Sequence, residues 1–414
     1  MISSIGAPSG STPPKSKDPH MLPFALLDIE RYPLVLAPSD HTGWFSGTSV
    51  IAVDPVSRET GVSLAHAAAA LELAFTQERF GITAALVSYD GTAEVRTYAG
   101  ALASSRAGWS KQGDAPEIPD DSSANSRLAP KGRAARRAVL GRAKVDMDEQ
   151  TWTKRVRTVQ DAIRAGDVYV MNLTMRVSGH PRLSPVQAFT KLHQSPGGPM
   201  AAFFGSPDSS VVSVSPERFL GVTVGFDGHT RRAEVWPIKG TAPRGIDEAQ
   251  DATLASALAG SAKERAEHVM VVDLERNDLG RVCQAGSIAV DPLLEVFPTP
   301  YCHQMVSCVA GELRPDASFE AVLDATFPCG SVTGAPKIAA MRIIEALESG
   351  PRGIYTGALM VAMPGRLDSS VLIRTLEYRP DGTAVWGTGC GITVDSDPTA
   401  EWHEARLKAS PILD

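Results

Sequence analysis

The sequence predicts an α/β fold of the α+β type, a large antiparallel meander of strands with helices inserted between them. Three observations predict it. Apolar runs of strand length are joined by turn dipeptides at Asp90-Gly91, Asp227-Gly228, Pro364-Gly365 and Asp381-Gly382, sequences that reverse the chain between paired strands. Helical patterns come in blocks instead of alternating one for one with strands, as a repeating βαβ unit would require. No G-x-G-x-x-G follows a strand and opens a helix, so the fingerprint of a dinucleotide-binding sheet is missing.

Residues 1–20, rich in Ser, Pro and Gly and without an apolar secretory core, read as a disordered leader or cloning remnant. Residues 21–100 read as a strand-rich part. Strands are expected at PLVLA near Pro33, at TSVIAV near Thr48, and at TAALVSY and EVRTY on either side of Asp90-Gly91. A helix begins at Ser63, a good N-cap, carries Leu64, Leu71, Phe75 and Phe80, and stops at Gly81. Residues 101–145 are polar and without period, the pattern of a flexible linker. Its basic cluster, Lys131, Arg133, Arg136 and Arg137, reads as solvated charge.

From 146 to 414 order returns. Trp152, Val156, Val159 and Ile163 recur at helical spacing between Asp148 and Gly166. Strand patterns follow at VYVMNLTMRV, VVSVSPERFLGVTV and AEVWPIKGT, then helices at about 247–275, 316–328 and 336–348. IYTGALMVAM, SSVLIRTLEY and AVWGTGCGITV complete the meander before a closing helix.

Composition narrows the function. With 40 Lys and Arg against 47 Asp and Glu the formal charge is -7, the wrong balance for a chain that grips a phosphate backbone. At 43% apolar and 21% charged the composition is that of a soluble globular protein. Nucleic acid and membrane are excluded as partners. Five cysteines with no C-x-x-C pair fit a reducing cytoplasm better than a disulfide scaffold or a zinc ribbon.

Glu401 and Glu404 stand three apart on the closing helix, where both carboxylates share one face and can hold a hard cation. A solvated acidic face balanced by Arg406 and Lys408 explains the same spacing. Glu267, just before the apolar run Val269 to Val272, is a candidate third acid. Lys239, at the end of a strand and before Gly240 and Thr241, is either a desolvated nucleophilic amine or a lysine reaching water. Glu217 lies 22 residues earlier, on what reads as the preceding strand of one hairpin. Arg374, flanked by apolar residues, is a paired core arginine or a carboxylate clamp. GSVTGAPK is no phosphate loop, because its glycine spacing is wrong and Pro336 precedes Lys337.

Eight segments stand in one order: GDVYVMNLT, SPERFL, PIKGTAPRG, AEHVMVVDLERNDLGRV, FPCGSVTGAPK, IRTL, GTGCGI and AEWHEARLKA. Over roughly residues 147–414 the chain thereby resembles the chorismate-utilising enzymes. The resemblance implies two mainly antiparallel sheets packed together with flanking helices around a magnesium and chorismate site. It implies that Glu267 and Glu404 ligate Mg2+, with Glu401 binding directly or through water. It also implies that Gly240, Thr241 and Gly391 hold the ring carboxylate, that Arg374, Tyr355 and Gly389 hold the enolpyruvyl carboxylate, and that His303 and Thr333 face the ring. Lys408 joins the substrate-binding positions.

Within the family Lys239 resembles the aminodeoxychorismate synthase branch, where lysine stands in PIKGT in place of the alanine of anthranilate and isochorismate synthases. Val170 stands where isochorismate and salicylate synthases carry a water-activating lysine. The implied chemistry is attack by Lys239, proton donation by Glu217, and displacement by ammonia from a separate glutamine amidotransferase subunit. The competing readings are an anthranilate synthase component and a catalytically silent chorismate-binding paralogue.

Overall fold

The computed structural model describes residues 29–31, 33–37, 44, 50–77, 81–105, 108–113, 138–194, 198–299 and 302–413. Two large sheets dominate. The eleven-stranded sheet runs from Gly334–Ala335 through Val170–Pro181, Ala384–Ile392, Thr375–Tyr378, Val211–Ser215, Met200–Phe204, Leu34–Leu36, Val50–Ala52 and Gly100–Ser105 to Gly108–Gly113, with Leu140–Val145 added beside Val170–Pro181. The nine-stranded sheet includes Arg231–Val235, Gly221–Val224, Arg366–Val371, Ala358–Met363, Ile82–Val87 and Ala93–Tyr98 in that order.

Alternation along these strands builds the core between the sheets. Leu34, Leu36, Val50 and Ala52 from one sheet meet Ile82, Ala84, Leu359 and Val361 from the other, all buried. Both sheets are also covered on their outer faces, which explains why many strands read as unbroken apolar runs. Helices Leu64–Thr76, Ala262–Gly280 and Phe319–Thr326 cover the nine-stranded sheet. Glu149–Ala165, Lys337–Leu347 and Pro398–Leu407 cover Met171, Leu173 and Ile392 of the other.

The helices start where side chains can take up free backbone N–H groups. Ser63 accepts from the His66 N–H, Asp148 from Thr151, Ser261 from Glu264 and Asp397 from Ala400. Gly166 closes the Glu149–Ala165 helix with φ of 85°, a left-handed cap that glycine adopts without strain.

Three expectations are corrected. A third, three-stranded sheet, Ile238–Pro243, Cys302–Val306 and Glu295–Pro298, carries Lys239 apart from the two large ones. Glu217 and Lys239 are therefore not on one hairpin: Gly221–Val224 and Arg231–Val235 form the hairpin between them, around Asp227-Gly228. The stretch read as a linker holds strands at both ends, because Gly100–Ser105 completes its hydrogen bonds on Val50–Ala52, and Leu140–Val145 on Val170–Pro181. Pairing partners, not local propensity, decide such polar strands. The leader and the basic cluster fall outside the described residues.

The N-terminal strands are integral to both sheets. Leu34 pairs with Phe204, and Met360 pairs with Ala85. Close packing also fixes some glycines: a Cβ at Gly387 would lie 2.0 Å from Cγ of the Tyr355 ring. Gly387→Ala should lower stability by about 1–3 kcal/mol through overpacking. Gly260→Ala, at a helix end with open space around it, should be neutral or stabilising by about 0.5 kcal/mol. Thermal unfolding of the two variants checks the contrast.

Candidate active site

The floor of the site is the Ala384–Ile392 strand. Alternation puts Gly387, Gly389 and Gly391 on one face, while Thr388 and Cys390 on the other bond the closing helix at the Ala405 and Glu401 carbonyls. The Tyr355 ring packs over Gly387. At the far end, a Cβ on Gly391 would stand 3.2 Å from the Lys239 Nζ and 3.8 Å from Val170 Cγ2. Between these ends a Cβ on Gly389 would meet the Leu173 carbonyl oxygen at 2.3 Å, so each of the three glycines admits a different neighbour.

Lys239 reaches this floor from the small sheet. Gly240 beside it has φ of 84° and packs against Leu258 and Glu264, leaving no room for a side chain. Buried His268 donates from Nδ1 to the Lys239 carbonyl at 3.3 Å, which fixes the backbone at that point. The Lys239 ammonium acts on three carboxyl groups, Glu217, Glu267 and Glu404. It therefore sits at the electrostatic centre of the proposed residues.

Glu217 follows the Val211–Ser215 strand, with its N–H on Ser215 Oγ and its carbonyl accepting from the Val371 N–H. Its side chain is buried and Oε1 has no hydrogen-bond partner among the described residues. Burial pushes the carboxyl up to about 7, against the opposing pull of Ser331, Lys239 and the Ile238 N–H. At neutral pH it thus retains a large protonated fraction, the state an acid needs.

Glu401 and Glu404 stand together on the closing helix, and Glu267 lies near enough for Glu401 to act on it. Glu401 is buried and accepts from Ser396 Oγ at 2.9 Å, whereas Glu404 is half-exposed and accepts from Lys408 at 2.7 Å. A ligand atom of each lies within 4.8 Å of the other and of Cys390 Sγ. Burial keeps that thiol protonated well above its ordinary range, so it is a poor ligand. Glu267 is half-buried beside Lys263, and burial raises its pKa, with Glu401 adding repulsion. Remaining donors are all oxygens, a set that suits a hard divalent cation such as Mg2+.

Arg374 adopts φ of 48° and is largely buried, which lowers its pKa. Among the described residues no carboxylate pairs with it, while Lys408 stands close enough to repel it and donates to the Gly389 carbonyl at 3.0 Å. Lys408 is already paired with Glu404. Burial raises the Tyr355 hydroxyl pKa, so it remains a phenol. Thr241 is exposed beside Lys239.

Two anticipated ring contacts do not take that role. The Thr333 hydroxyl is turned into its own loop, donating to the Cys329 and Gly330 carbonyls. His303 is paired with Ala242 and faces the Leu258–Met305 side of the small sheet, where Nε2 meets Asp251 at 2.9 Å. Gln304, paired with Thr241, occupies the opposite side. Strand alternation makes the exchange unavoidable, since one residue along the strand is the other face of the sheet.

A family model described as "chorismate binding enzyme" matches residues 42–414. The chain belongs to the chorismate binding enzyme family. Among its curated relatives, the aminodeoxychorismate synthase of Streptomyces griseus is 42% identical over 64% of this chain and 36% of its own. The aminodeoxychorismate synthase component 1 of Klebsiella aerogenes is 40% identical over 65% of this chain and 58% of its own. This chain thus spans about a third to three fifths of those relatives. The anthranilate synthase component I of Streptococcus pneumoniae TIGR4 superposes with a TM-score of 0.72 at 25% identity, covering 88% of this chain and 92% of that one. MenF of Escherichia coli, a menaquinone-specific isochorismate synthase, shares the fold with a TM-score of 0.74 at 18% identity, over 94% and 90% of the two chains.

Several residues of this family member's site were not singled out from the sequence. Ser331, within GSVTGAPK, is buried and favours the charged form of Glu217. On the Ala262–Gly280 helix, His268 and Glu275 are buried with Val271 and Val272, whereas Val269 is exposed. A histidine and a glutamate inside an apolar stripe at helical spacing were the available signal.

Glu217 also links the site to stability. A carboxyl whose folded pKa of about 7 exceeds the ordinary 4.5 keeps its proton longer when folded. Between those values the unfolded chain ionises first, so stability falls as pH rises through the window. Glu217→Gln removes that loss. The variant should match the parent protein near pH 5 and exceed it by about 2 kcal/mol near pH 8, measured by thermal unfolding at both values.

Proposed function

We propose that the chain is an aminodeoxychorismate synthase component that converts chorismate and ammonia to 4-amino-4-deoxychorismate. The observation that carries this reading is Lys239 Nζ against the bare backbone of Gly391, with Glu217, an acid able to hold its proton, beside it. The relatives named aminodeoxychorismate synthase support it. Val170 borders the same floor and offers no proton acceptor for activating water. That counts against an isochorismate product.

In this mechanism the Lys239 amine attacks ring carbon 2, the two ring double bonds shift, and the hydroxyl on carbon 4 departs. Glu217 gives it the proton that makes it water. Ammonia then attacks carbon 4, the double bonds shift back, and the Lys239 amine leaves. The surplus proton of the added ammonia restores Glu217. Arg374 and Lys408 hold one carboxylate of the dianion, and the Gly240–Thr241 and Gly391 backbone receives the other. Mg2+, held by Glu267, Glu401 and Glu404, would neutralise and position the ring carboxylate.

Ammonia would come from a glutamine amidotransferase subunit, as the words "component 1" in relatives' names suggest. The product would lead towards p-aminobenzoate and folate. Among the described residues no helix is long and apolar enough to cross a membrane, and free cysteines suit a reducing cytoplasm.

Mass spectrometry of products from chorismate, Mg2+ and excess ammonium tests the reading. Aminodeoxychorismate should form and be lost in Lys239→Ala; anthranilate or isochorismate as the product would overturn it. Glu217→Gln should lower kcat about 10²–10⁴-fold, the usual yield of a positioned acid. In the parent protein, kcat/KM at fixed free ammonia should decline as pH rises past about 7, where Glu217 loses its proton. Arg374→Lys should weaken chorismate binding by roughly tenfold or more, because the planar fork is lost.

A further inference from the structure

The strand beside the glycine floor has a gap along its outer edge. Val170–Pro181 pairs there with Gly334–Ala335 at Val170 and Met171, and with Leu140–Val145 from Val177 onwards. Between them, at residues 172–176, no strand among the described residues pairs with that edge. The gap lies opposite the floor, because on the inner edge Asn172 pairs with Gly391 and Thr174 with Gly389. The strand is buried over this stretch, and open backbone groups in a buried strand are costly unless something else bonds them.

An ion pair fills the gap. Glu348, which follows the Lys337–Leu347 helix, accepts at Oε1 from the Thr174 N–H at 3.1 Å and from the Thr174 hydroxyl at 2.8 Å. Arg352 donates to the Asn172 carbonyl at 2.8 Å. The two side chains, 8% and 2% exposed, join through two contacts of 2.7 and 2.9 Å, the fork that gives such a pair a fixed geometry as well as strength. Together they offer the strand one acceptor and one donor, as an adjoining strand would.

The same guanidinium reaches further. It donates to the Val332 carbonyl at 2.7 Å, which Asn172 Nδ2 also bonds at 3.3 Å. It meets Thr356 Oγ1 at 3.4 Å, next in sequence to Tyr355, whose ring packs over Gly387. Its face lies 4.7 Å from the centre of the Tyr89 ring, and the Tyr89 N–H donates to the Gly353 carbonyl at 2.9 Å. We infer that Arg352, held by Glu348, is a positioning residue for chorismate: it fixes the Gly389–Gly391 floor and the Tyr355 ring relative to each other, and Tyr89 of the N-terminal part holds it in place. The pair is neutral as a whole, so it acts through geometry.

The inference rests on the proposed seating of chorismate over the glycine floor, and substrate affinity tests it. Arg352→Lys keeps the charge, but one ammonium lacks the planar fork that serves Glu348, Asn172 and Val332 together. The groups that receive the carboxylates should then be misplaced, whereas Lys239 and Glu217 are carried by other strands. In steady-state kinetics the chorismate KM should rise about fivefold or more, with kcat within about threefold and the ammonium KM unchanged. A variant that merely loses folded enzyme would show a lower kcat at the parent's KM. That result, or unchanged kinetics, overturns the inference.

Tyr89 supplies a second pair of variants. Its hydroxyl is buried without a hydrogen-bond partner among the described residues, so the ring alone serves Arg352. Tyr89→Leu should raise the chorismate KM about two- to fivefold, and Tyr89→Phe should stay within about 1.5-fold of the parent. Where Arg352→Lys fails to fold, this pair decides: equal chorismate KM values in the two overturn the positioning role. Titration calorimetry of chorismate with Mg2+ and no ammonium separates the inference from the reaction. Weaker binding in Arg352→Lys, with anthranilate as the parent's product, refutes only the proposed reaction. Weaker binding in Arg374→Lys but not in Arg352→Lys refutes only the positioning role.

Discussion

The whole site depends on one strip of backbone from which side chains are missing. Gly387, Gly389 and Gly391 lie on a single face of a strand that is paired along its length with Val170–Pro181 and anchored from below by the closing helix. Glycine weakens a strand through its conformational freedom, and here that cost is offset by neighbours that hold the strand rigid. The freed volume brings a tyrosine ring to one end and a lysine amine to the other. Every other group is arranged around that space.

Charge placement follows from the same geometry. A floor without side chains presents neither acid nor base, so electrostatics must come from the walls. Cations gather at Lys239, Arg374 and Lys408, and acids at Glu217, Glu267, Glu401 and Glu404. Among the described residues Arg374 has no carboxylate partner, and the acids are partly uncompensated. Such an arrangement is costly by itself, and the proposed dianion and divalent cation would offset that cost.

Much of this was legible in the sequence, for identifiable reasons. Turn dipeptides, helix caps and alternation placed most strands and helices from residue 148 onwards, because those signals are local. That Glu401 and Glu404 stand close together was legible from helical spacing. His303 was read as facing the ring because a motif names a neighbourhood while strand parity names a face, and here that face turns it to Asp251. The Gly100–Ser105 strand was invisible because it leans on Val50–Ala52, remote in sequence, and Gly108–Gly113 because it forms a polar hairpin with that strand and has no apolar alternation of its own.

The interleaving of the sheets has a consequence for biosynthesis. Leu34–Leu36 finds its neighbour at Met200–Phe204, and Ile82–Val87 finds one of its two at Ala358–Met363. A chain emerging from the ribosome therefore cannot finish either sheet until almost its last strand has appeared. Early segments must wait with apolar edges open, a condition that slows folding and invites association with other unfinished chains. Solubility during synthesis, more than the endurance of the finished enzyme, is where chaperone supply should matter for this protein.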